Sequence, residues 1–471
     1  MLNYIALYPN KYSSEFNDEI LIGNQDLSIA DYAIMEMMEL EAVENIHIES
    51  YKIIDDQSEV DINHHMVNIN FKKKDMSSIE YPTNKYIHDG RFSEIIFRCR
   101  VETNLNSKII EKHILIPEMD DAGFYYNHGK KQKAIWQIVD EATYSQRGRN
   151  TMKSRMPIII YQNKKRVIAD ITGEEHTMTS YSYALNGKQR KGGPKGGKKP
   201  KAKFINPLMI YSAKMGYFNT LDFFGMTDIV RVLRSLDEIP NKDDYYIFEM
   251  DSVYLAVLRY LFDKYELVQS FVCMSLNLRS PKDFPIDYEA LNDLTYWTCR
   301  IGTVGAARNK NLASFQEKGS TNMFMIERLL NEVTRYSLRL PDYYKQNIYY
   351  VMYWLITNFT ELRKYSNIDM RSKRIRRNEV IVDSTLGKKI SENINKLIER
   401  KSRSKLNNMD TLLELFNFPS DIIVTGMSNL DDIIKSDDVC NDMDFLMRIG
   451  FTMKGPRGTG PIYSNVYQSI M

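Results

Sequence analysis

Cysteine is scarce in this chain: there are four among 471 residues, and Cys99, Cys273, Cys299 and Cys440 are never spaced as C-x-x-C. That argues against a zinc site or a disulfide framework and suits ordinary buried thiols in a reducing compartment. Long apolar runs are missing as well. The best of them, 156–161 and 349–356, fall well short of the roughly 20 residues that a membrane-crossing helix needs. The first ten residues carry no basic start followed by an apolar stretch, so a soluble protein without a secretion signal or membrane partner is expected. An excess of one charge is also lacking, with 63 Lys plus Arg against 61 Asp plus Glu. Function must therefore be read from local patterns.

The signatures of self-contained catalysis are absent too. The seven His (47, 64, 65, 88, 113, 128 and 176) never form H-E-x-x-H, and His64 and His65, adjacent on a strand, would point to opposite faces. No G-x-x-x-x-G-K-[ST] phosphate loop and no G-x-S-x-G elbow occurs. Carboxylate pairs stand at Asp243-Asp244, Asp431-Asp432 and Asp437-Asp438. Local acids alone rarely hold Mg²⁺, so exposed acids or helix caps are the expectation, with no metal and no cofactor bound by this chain.

What is present is a globular composition, 43% hydrophobic, with apolar mass for more than one core, since single cores stop growing at about 250–300 residues. Abundant Lys, Asn, Ile and Tyr suggest coding by an AT-rich genome. Residues 29–43 place Ala30, Ala33, Ile34, Met37 and Leu40 at helical spacing, and alternating segments follow at 64–71, 94–101 and 108–116. The runs 156–160 and 166–171, joined by Gln162, Asn163 and Lys164, predict a hairpin. Helical regions are expected at 208–234 and 252–265, a core helix at 349–356, and a helix at 384–400 with Leu386, Ile390, Ile394, Leu397 and Ile398 on one face. The fold class is α+β and multidomain. Residues 187–203 hold eight Lys or Arg, five Gly, two Pro and no acid. Such a segment cannot bury a face, and it reads either as a solvated loop or as an arm that tracks phosphates.

Four motifs carry a resemblance. Ile116-Pro117-Glu118-Met119 leads to Gly123-Phe124-Tyr125-Tyr126-Asn127-His128-Gly129 and then Gln137, with Asn-His-Gly reading as a hairpin turn. The basic loop is followed by 205–216, INPLMIYSAKMG, where proline suits the first turn of a helix. Asp369-Met370-Arg371-Ser372-Lys373-Arg374-Ile375-Arg376-Arg377 packs five cations into seven residues, which must face carboxylate, solvent or phosphate. Residues 429–435 and 444–450 precede Gly455-Pro456-Arg457-Gly458, a tight loop tip charged by Lys454 and Arg457.

In this order the motifs resemble the β subunit of multisubunit DNA-directed RNA polymerases. There a P-x-M segment leads to G-x-F-I-I-N-G-x-E-R-V-x-x-x-Q, K-x-P-V-x-V-L-L-K-A-L-G follows, then D-H-L-G-N-R-R-V-R, and then the fork. This chain inserts His128 and has Lys131 and Gln132 for the family's acid-base pair. It keeps the offsets of Asp369, Arg374 and Arg377 while Met370, Ser372 and Ile375 depart from the pattern. The resemblance spans roughly 94–460. It implies a protrusion-like domain from 1–131 plus 369–428, a lobe-like domain at 132–368 and a fork at 429–471. It also implies DNA contacts from Lys188, Arg190, Lys191, Arg371, Arg374, Arg376, Arg377, Lys454 and Arg457, with Gly455, Pro456, Arg457 and Gly458 as the fork loop. Positions that form the rifampicin pocket in the family are here Asp432, Lys435, Phe445 and Gly450. The pocket's hydrogen-bonding set is thus lost, and resistance to rifampicin is expected.

The family's β subunit continues into H-x-x-x-G-R-x-C-P-x-E-T-P-E-G, which does not occur here. The chain therefore looks like the amino-terminal half of a split β subunit, an arrangement found in the polymerases of very large bacteriophages. An engineered truncation would end the same way. The family's catalytic Mg²⁺ sits on N-A-D-F-D-G-D of β′, also absent here, so the chain alone is expected to be inactive. The implied partners are the carboxy-terminal β fragment, β′ or its fragments, a promoter-specificity factor where one is used, the DNA template and the RNA product. The implied location is the cytoplasm of the infected bacterium, or the virion. Two other classes remain open: a stand-alone single-strand nucleic-acid-binding phage protein, and a phage structural protein.

Overall fold

The computed structural model describes residues 27–43, 45–55, 92–119, 125–127, 130–134, 136–140, 142–146, 149–152, 158–184, 204–239, 242–250, 252–276, 287–305, 312–338, 340–359, 373–400, 408–427, 430, 434–436, 451–455 and 458–460. The chain divides into two compact units. Unit 1 comprises Met1–Glu141, Asn331–Arg339 and Asn367–Met471, and unit 2 comprises Ala142–Leu330 and Leu340–Ser366. In sequence, unit 2 is an insertion into unit 1. The first boundary falls at 141/142, and the short stretch Asn331–Arg339 groups with unit 1.

Unit 1 opens with α1 (Ile29–Met38), started by a capping box in which Ser28 Oγ accepts the Asp31 N–H at 3.0 Å and Asp31 Oδ2 accepts the Ser28 N–H at 3.2 Å. Two otherwise orphaned amides are satisfied this way. Ile29, Tyr32, Ala33 and Met37 line the buried face, and a 3₁₀ turn, Glu39–Ala42, buries Leu40. Strands β1 (Ile46–Ile54), β2 (Phe92–Glu102) and β3 (Ser107–Pro117) form one antiparallel sheet in that order. Both sequence segments 94–101 and 108–116 are thus strands, while 64–71 lies outside the described residues. On β2, Ile95, Phe97, Cys99 and Val101 face inward, and the intervening Arg98 and Arg100 are each held by Glu49 at 3.2 Å. Then come β4 (Tyr125–Asn127), β5 (Lys130–Ala134) and β6 (Trp136–Asp140).

Unit 2 begins with a five-stranded sheet of β7 (Thr143–Gln146), β8 (Arg149–Met152), β9 (Ile158–Ala169), β10 (Glu175–Ala184) and β11 (Phe204–Ile205), ordered β11-β10-β9-β8-β7. The expected hairpin at Gln162–Lys164 is not there: 158–169 is one continuous strand. Its polar middle is tolerated because β8 pairs only with Ile158 to Tyr161, so among the described residues the rest of β9 has no strand neighbour on that side. The register slips opposite Met178 and Thr179, a bulge that absorbs Lys165. The true turn is 170–174, where Gly173 takes φ +87°.

Helix α2 (Leu208–Met215) starts directly after Pro207, and α3 (Tyr217–Phe223) follows Gly216. Strands β12 (Val230–Leu233), β13 (Tyr245–Met250) and β14 (Val253–Leu258) form a sheet ordered β12-β14-β13. The helical expectations for 208–234 and 252–265 are corrected at both β12 and β14. Val253 to Leu258 is a β-branched and aliphatic run that pairs residue by residue with β13, and hairpin partnership overrides its helical spacing. Helices α4 (Arg259–Lys264) and α5 (Glu266–Leu276) follow, and α5 lies on β10 through Ser270 Oγ, which accepts the Tyr181 N–H at 3.1 Å. Helices α6 (Leu294–Gly305) and α7 (Leu312–Glu327) pack closely. The chain then passes through α8 (Glu332–Ser337), which belongs to unit 1, and returns for α9 (Ile348–Thr357), the expected core helix.

Back in unit 1, β15 (Lys373–Arg376) leads into α10 (Asn378–Val382), a π turn at Asp383–Gly387 and α11 (Lys388–Arg400). Leu386, Ile390, Ile394 and Leu397 are buried on one face as their spacing predicts. They join Ile381, Leu415, Ile423 and the buried face of α1 in a single core. Helices α12 (Met409–Leu413) and α13 (Ile422–Met427) close that core, and β16 (Ile434–Ser436), β17 (Phe451–Gly455) and β18 (Gly458–Gly460) follow. The architecture is mixed α+β. Among the described residues no helix is long and apolar enough to cross a membrane.

Candidate nucleic-acid interface

Three segments distant in sequence become one sheet, ordered β15-β6-β17-β18. The basic strand β15 runs antiparallel to β6, with Lys373 opposite Asp140, Arg374 opposite Val139, Ile375 opposite Ile138 and Arg376 opposite Gln137. On the other flank β17 is parallel to β6, with Phe451 opposite Trp136 and Thr452 opposite Gln137. Gln137 thus has the basic cluster on one side and the 451–460 segment on the other, each about 4.8 Å away at strand spacing. Strands β17 and β18 form a hairpin whose last pair is Gly455 and Gly458. Pro456 and Arg457 stand between these two strands in sequence. Those two residues and the Lys454 side chain lie outside the described residues.

A second small sheet, ordered β16-β5-β4, joins the first motif to the segment after 429. Asn127 pairs with Lys130, so β4 and β5 are the antiparallel arms that the hairpin reading expects, while His128 and Gly129 lie outside the described residues. Lys435 stands opposite Lys133, and Ser436 opposite Gln132. Asp432, Phe445 and Gly450 are outside the described residues, as is Arg371 and the side chain of Arg374.

The two arginines at the end of the basic cluster are turned into unit 1. Arg376 is 5% exposed, and its Nε lies 3.2 Å from Glu379 Oε2. Arg377 is also 5% exposed, and its Nε donates to Asn378 Oδ1 at 3.3 Å. A buried guanidinium needs such partners, because desolvation without them costs several kcal/mol. Asn378 is a junction that the sequence does not reveal. Its Nδ2 donates to the Leu27 carbonyl at 2.8 Å, and its Oδ1 also accepts the Tyr125 hydroxyl at 3.4 Å. A single amide therefore ties the first motif, the approach to α1 and the basic cluster together. An Asn following a basic run reads locally as a helix cap, which hides this role.

In unit 2 the strands that flank the basic loop are anchored. Ala184 pairs with Phe204 and Tyr183 with Ile205, so the residues on either side of 185–203 are neighbours on two paired strands. Asn206 holds the exit: its Nδ2 donates to the Ser270 carbonyl at 3.0 Å and its Oδ1 accepts the Leu208 N–H at 3.0 Å. Lys188, Arg190 and Lys191 themselves are outside the described residues. Unit 2 carries 31 Lys or Arg against 21 Asp or Glu, a net of +10, whereas unit 1 carries 32 against 40, a net of −8. The neutral whole conceals one basic and one acidic unit.

One convergence of metal-ligating types occurs among the described residues, at Asp170, Glu174 and His176 beside the β9–β10 turn. The carboxylate of Asp170 is already spent. Its Oδ1 accepts the Thr172 N–H at 2.8 Å, the Thr172 hydroxyl at 2.5 Å and the Glu174 N–H at 3.1 Å, and Oδ2 lies 3.2 Å from His176 Nε2. Burial pushes this carboxyl up, and the hydrogen bonds outweigh it, so it titrates below the ordinary carboxylate range. His176 is packed by Tyr246, Phe248 and Phe262. The group is built as a turn clamp.

No curated protein matches the sequence. The family model described as "Non-virion RNA polymerase subunit" matches residues 9–465, almost the entire chain, and the protein belongs to that family.

Proposed function

We propose that this RNA polymerase subunit is the amino-terminal half of a split β subunit, supplying protrusion, lobe and fork to the assembled enzyme. The observation that carries this is the sheet joining 136–140, 373–376 and 451–460. Segments of three of the four β-like motifs, far apart in sequence, meet as neighbours there, as a fork rooted in a protrusion requires. The insertion of the basic unit 2 between two stretches of unit 1 supports reading it as the lobe.

On this reading Lys188, Arg190, Lys191, Arg371, Arg374, Lys454 and Arg457 contact phosphates, which supplies sequence-independent affinity. Arg376 and Arg377 act from inside, positioning β15 through Glu379 and Asn378. Mg²⁺ and the bond-forming chemistry belong to β′. The non-virion description of the family speaks against the virion and for action in the infected host cell. A stand-alone single-strand binder leaves the family membership unexplained.

Affinity purification of the tagged chain from infected cells tests the proposal. The expected companions, in stoichiometric amounts, are a chain carrying the remainder of β and β′-like chains carrying the metal motif. Recovery of a complete, unsplit β subunit in the same complex would overturn the assignment. The assembled enzyme is expected to transcribe at rifampicin concentrations that stop an ordinary bacterial polymerase, since each buried polar partner left unmatched costs a ligand about 1–3 kcal/mol.

A further inference from the structure

One short piece of unit 1 is paired to the carboxy-terminal segment at two places. Strands β5 and β6 are separated in sequence by Ile135 alone, yet each is the inner strand of a different sheet. Strand β5 lies between β4 and β16, and β6 lies between β15 and β17. Through β5 the stretch holds 434–436, and through β6 it holds 451–453. The chain on either side of 437–450 is therefore attached to the same few residues.

Both attachments have a glutamine on the inner strand. On β5, Gln132 stands opposite Ser436 on one side and Tyr125 on the other. On β6, Gln137 stands opposite Thr452 on one side and Arg376 on the other. Gln132 is 8% exposed and Gln137 is wholly buried. Packing does not ask for glutamine there, since an inner strand favours β-branched side chains and burying a carboxamide costs more than burying Val or Ile. What a buried amide supplies is discrimination between alignments, as a single buried Asn fixes the register of a coiled coil at a cost in stability. Discrimination is needed here, because each attachment has only three residue pairs, too few for a hydrophobic pattern to set the alignment. A slip that keeps the faces moves a strand by two residues, about 6.6 Å along the sheet, enough to carry a cation out of reach of a phosphate.

We infer that Gln132 and Gln137 are positioning residues that fix the register in which the 429–471 segment joins β5 and β6, and so set where Lys454 and Arg457 stand relative to the basic strand β15. The inference rests on the reading of 429–471 as the fork, and it assigns the placement of that segment to two buried amides rather than to its cations.

The test compares the purified complex carrying Gln132→Met with Gln137→Met against the parent, methionine being an unbranched apolar side chain of glutamine's length. Subunit content is expected to be unchanged and the melting temperature to stay within about 3 °C of the parent's, while promoter opening, followed by permanganate footprinting, slows about fivefold. Adding the two changes to the Lys454→Ala, Arg457→Ala variant is expected to slow opening no further, because residues that act by placing those cations then have nothing left to place. Opening at the parent's rate overturns the inference. So does a melting temperature that falls together with the opening rate, which makes the pair ordinary packing, and so does an additive loss on the Lys454→Ala, Arg457→Ala background. Gln137→Met alone is read by the same criteria should the pair of changes prevent assembly. Normal opening by the Lys454→Ala, Arg457→Ala variant itself would remove the fork reading and this inference with it, whereas the other outcomes remove the inference alone.

Discussion

Arg376 shows how a charged residue changes meaning between sequence and structure. Among five cations in seven residues it reads as a phosphate contact, yet it lies 95% buried against Glu379. Truncating Glu379 would remove a charged partner from a buried guanidinium, so Glu379→Ala is expected to destabilise the chain by about 3 kcal/mol. Pairing it with Arg376→Met should return much of that loss. Chemical denaturation of the three variants measures this. Glu94 and His113 make a different kind of pair, 2.6 Å apart, with Glu94 buried on β2 and His113 opposite Ile96 on β3. The hydrogen bond to Glu94 raises the His113 pKa despite its partial burial. A folded-state pKa above the unfolded one of about 6.5 stabilises the protein fully below that value, and the benefit is lost as pH rises through the folded pKa. Stability is therefore expected to fall as pH climbs above about 6.5, and His113→Gln should flatten that slope in a series of melting temperatures.

At the scale of elements, two glycines let α6 and α7 approach backbone to backbone. A Cβ on Gly302 of α6 would meet the Phe315 carbonyl, and one on Gly319 of α7 would meet the Thr298 carbonyl. Each helix seats its backbone against the other, so there is no flexible side chain to yield. Gly319→Ala improves intrinsic helix propensity by up to about 1 kcal/mol, yet it must pry the helices apart. The net expectation is a loss of about 1–3 kcal/mol, read as a lower denaturation midpoint. The same scale explains where local periodicity misleads. Val253 to Leu258 has helical spacing but a strand partner in β13, and Gln162 to Lys164 carries turn-like residues in the middle of β9. Pairing partners that sit elsewhere in the chain decided both.

For the whole molecule, the uneven division of charge between the units matters more than the near-zero total. Deleting 187–203 removes eight cations without touching the Ala184–Phe204 closure. Secondary structure should persist, while retention of DNA by the assembled enzyme at raised salt should drop and the salt dependence become shallower, since each phosphate contact contributes a slope of about −0.9 on duplex DNA. Undiminished retention would return the loop to a solubilising role. Lys454→Ala with Arg457→Ala should slow promoter opening and leave subunit assembly intact, because Lys454 lies on β17 and Arg457 in the stretch between β17 and β18, the last two strands of their sheet. Permanganate footprinting of the bubble would register the difference.

The strand at 108–116, the α1 face, the Asn-His-Gly hairpin and the buried stripe of α11 were legible from residue order, because each depends on neighbours within a few positions. The order of the β-like motifs was legible for the same reason. Three things came from tertiary structure alone: the meeting of 136–140 with 373–376 and 451–460, the inward turn of Arg376 and Arg377, and the ring contacts that run from Tyr211 through Phe223 and Tyr350 to Tyr343. Residue order does not state them: the strand pairings and the contacts of Phe223 with α9 join positions separated by a hundred residues or more, and the burial of Arg376 and Arg377, whose partners Glu379 and Asn378 are near in sequence, depends on the core that closes around them.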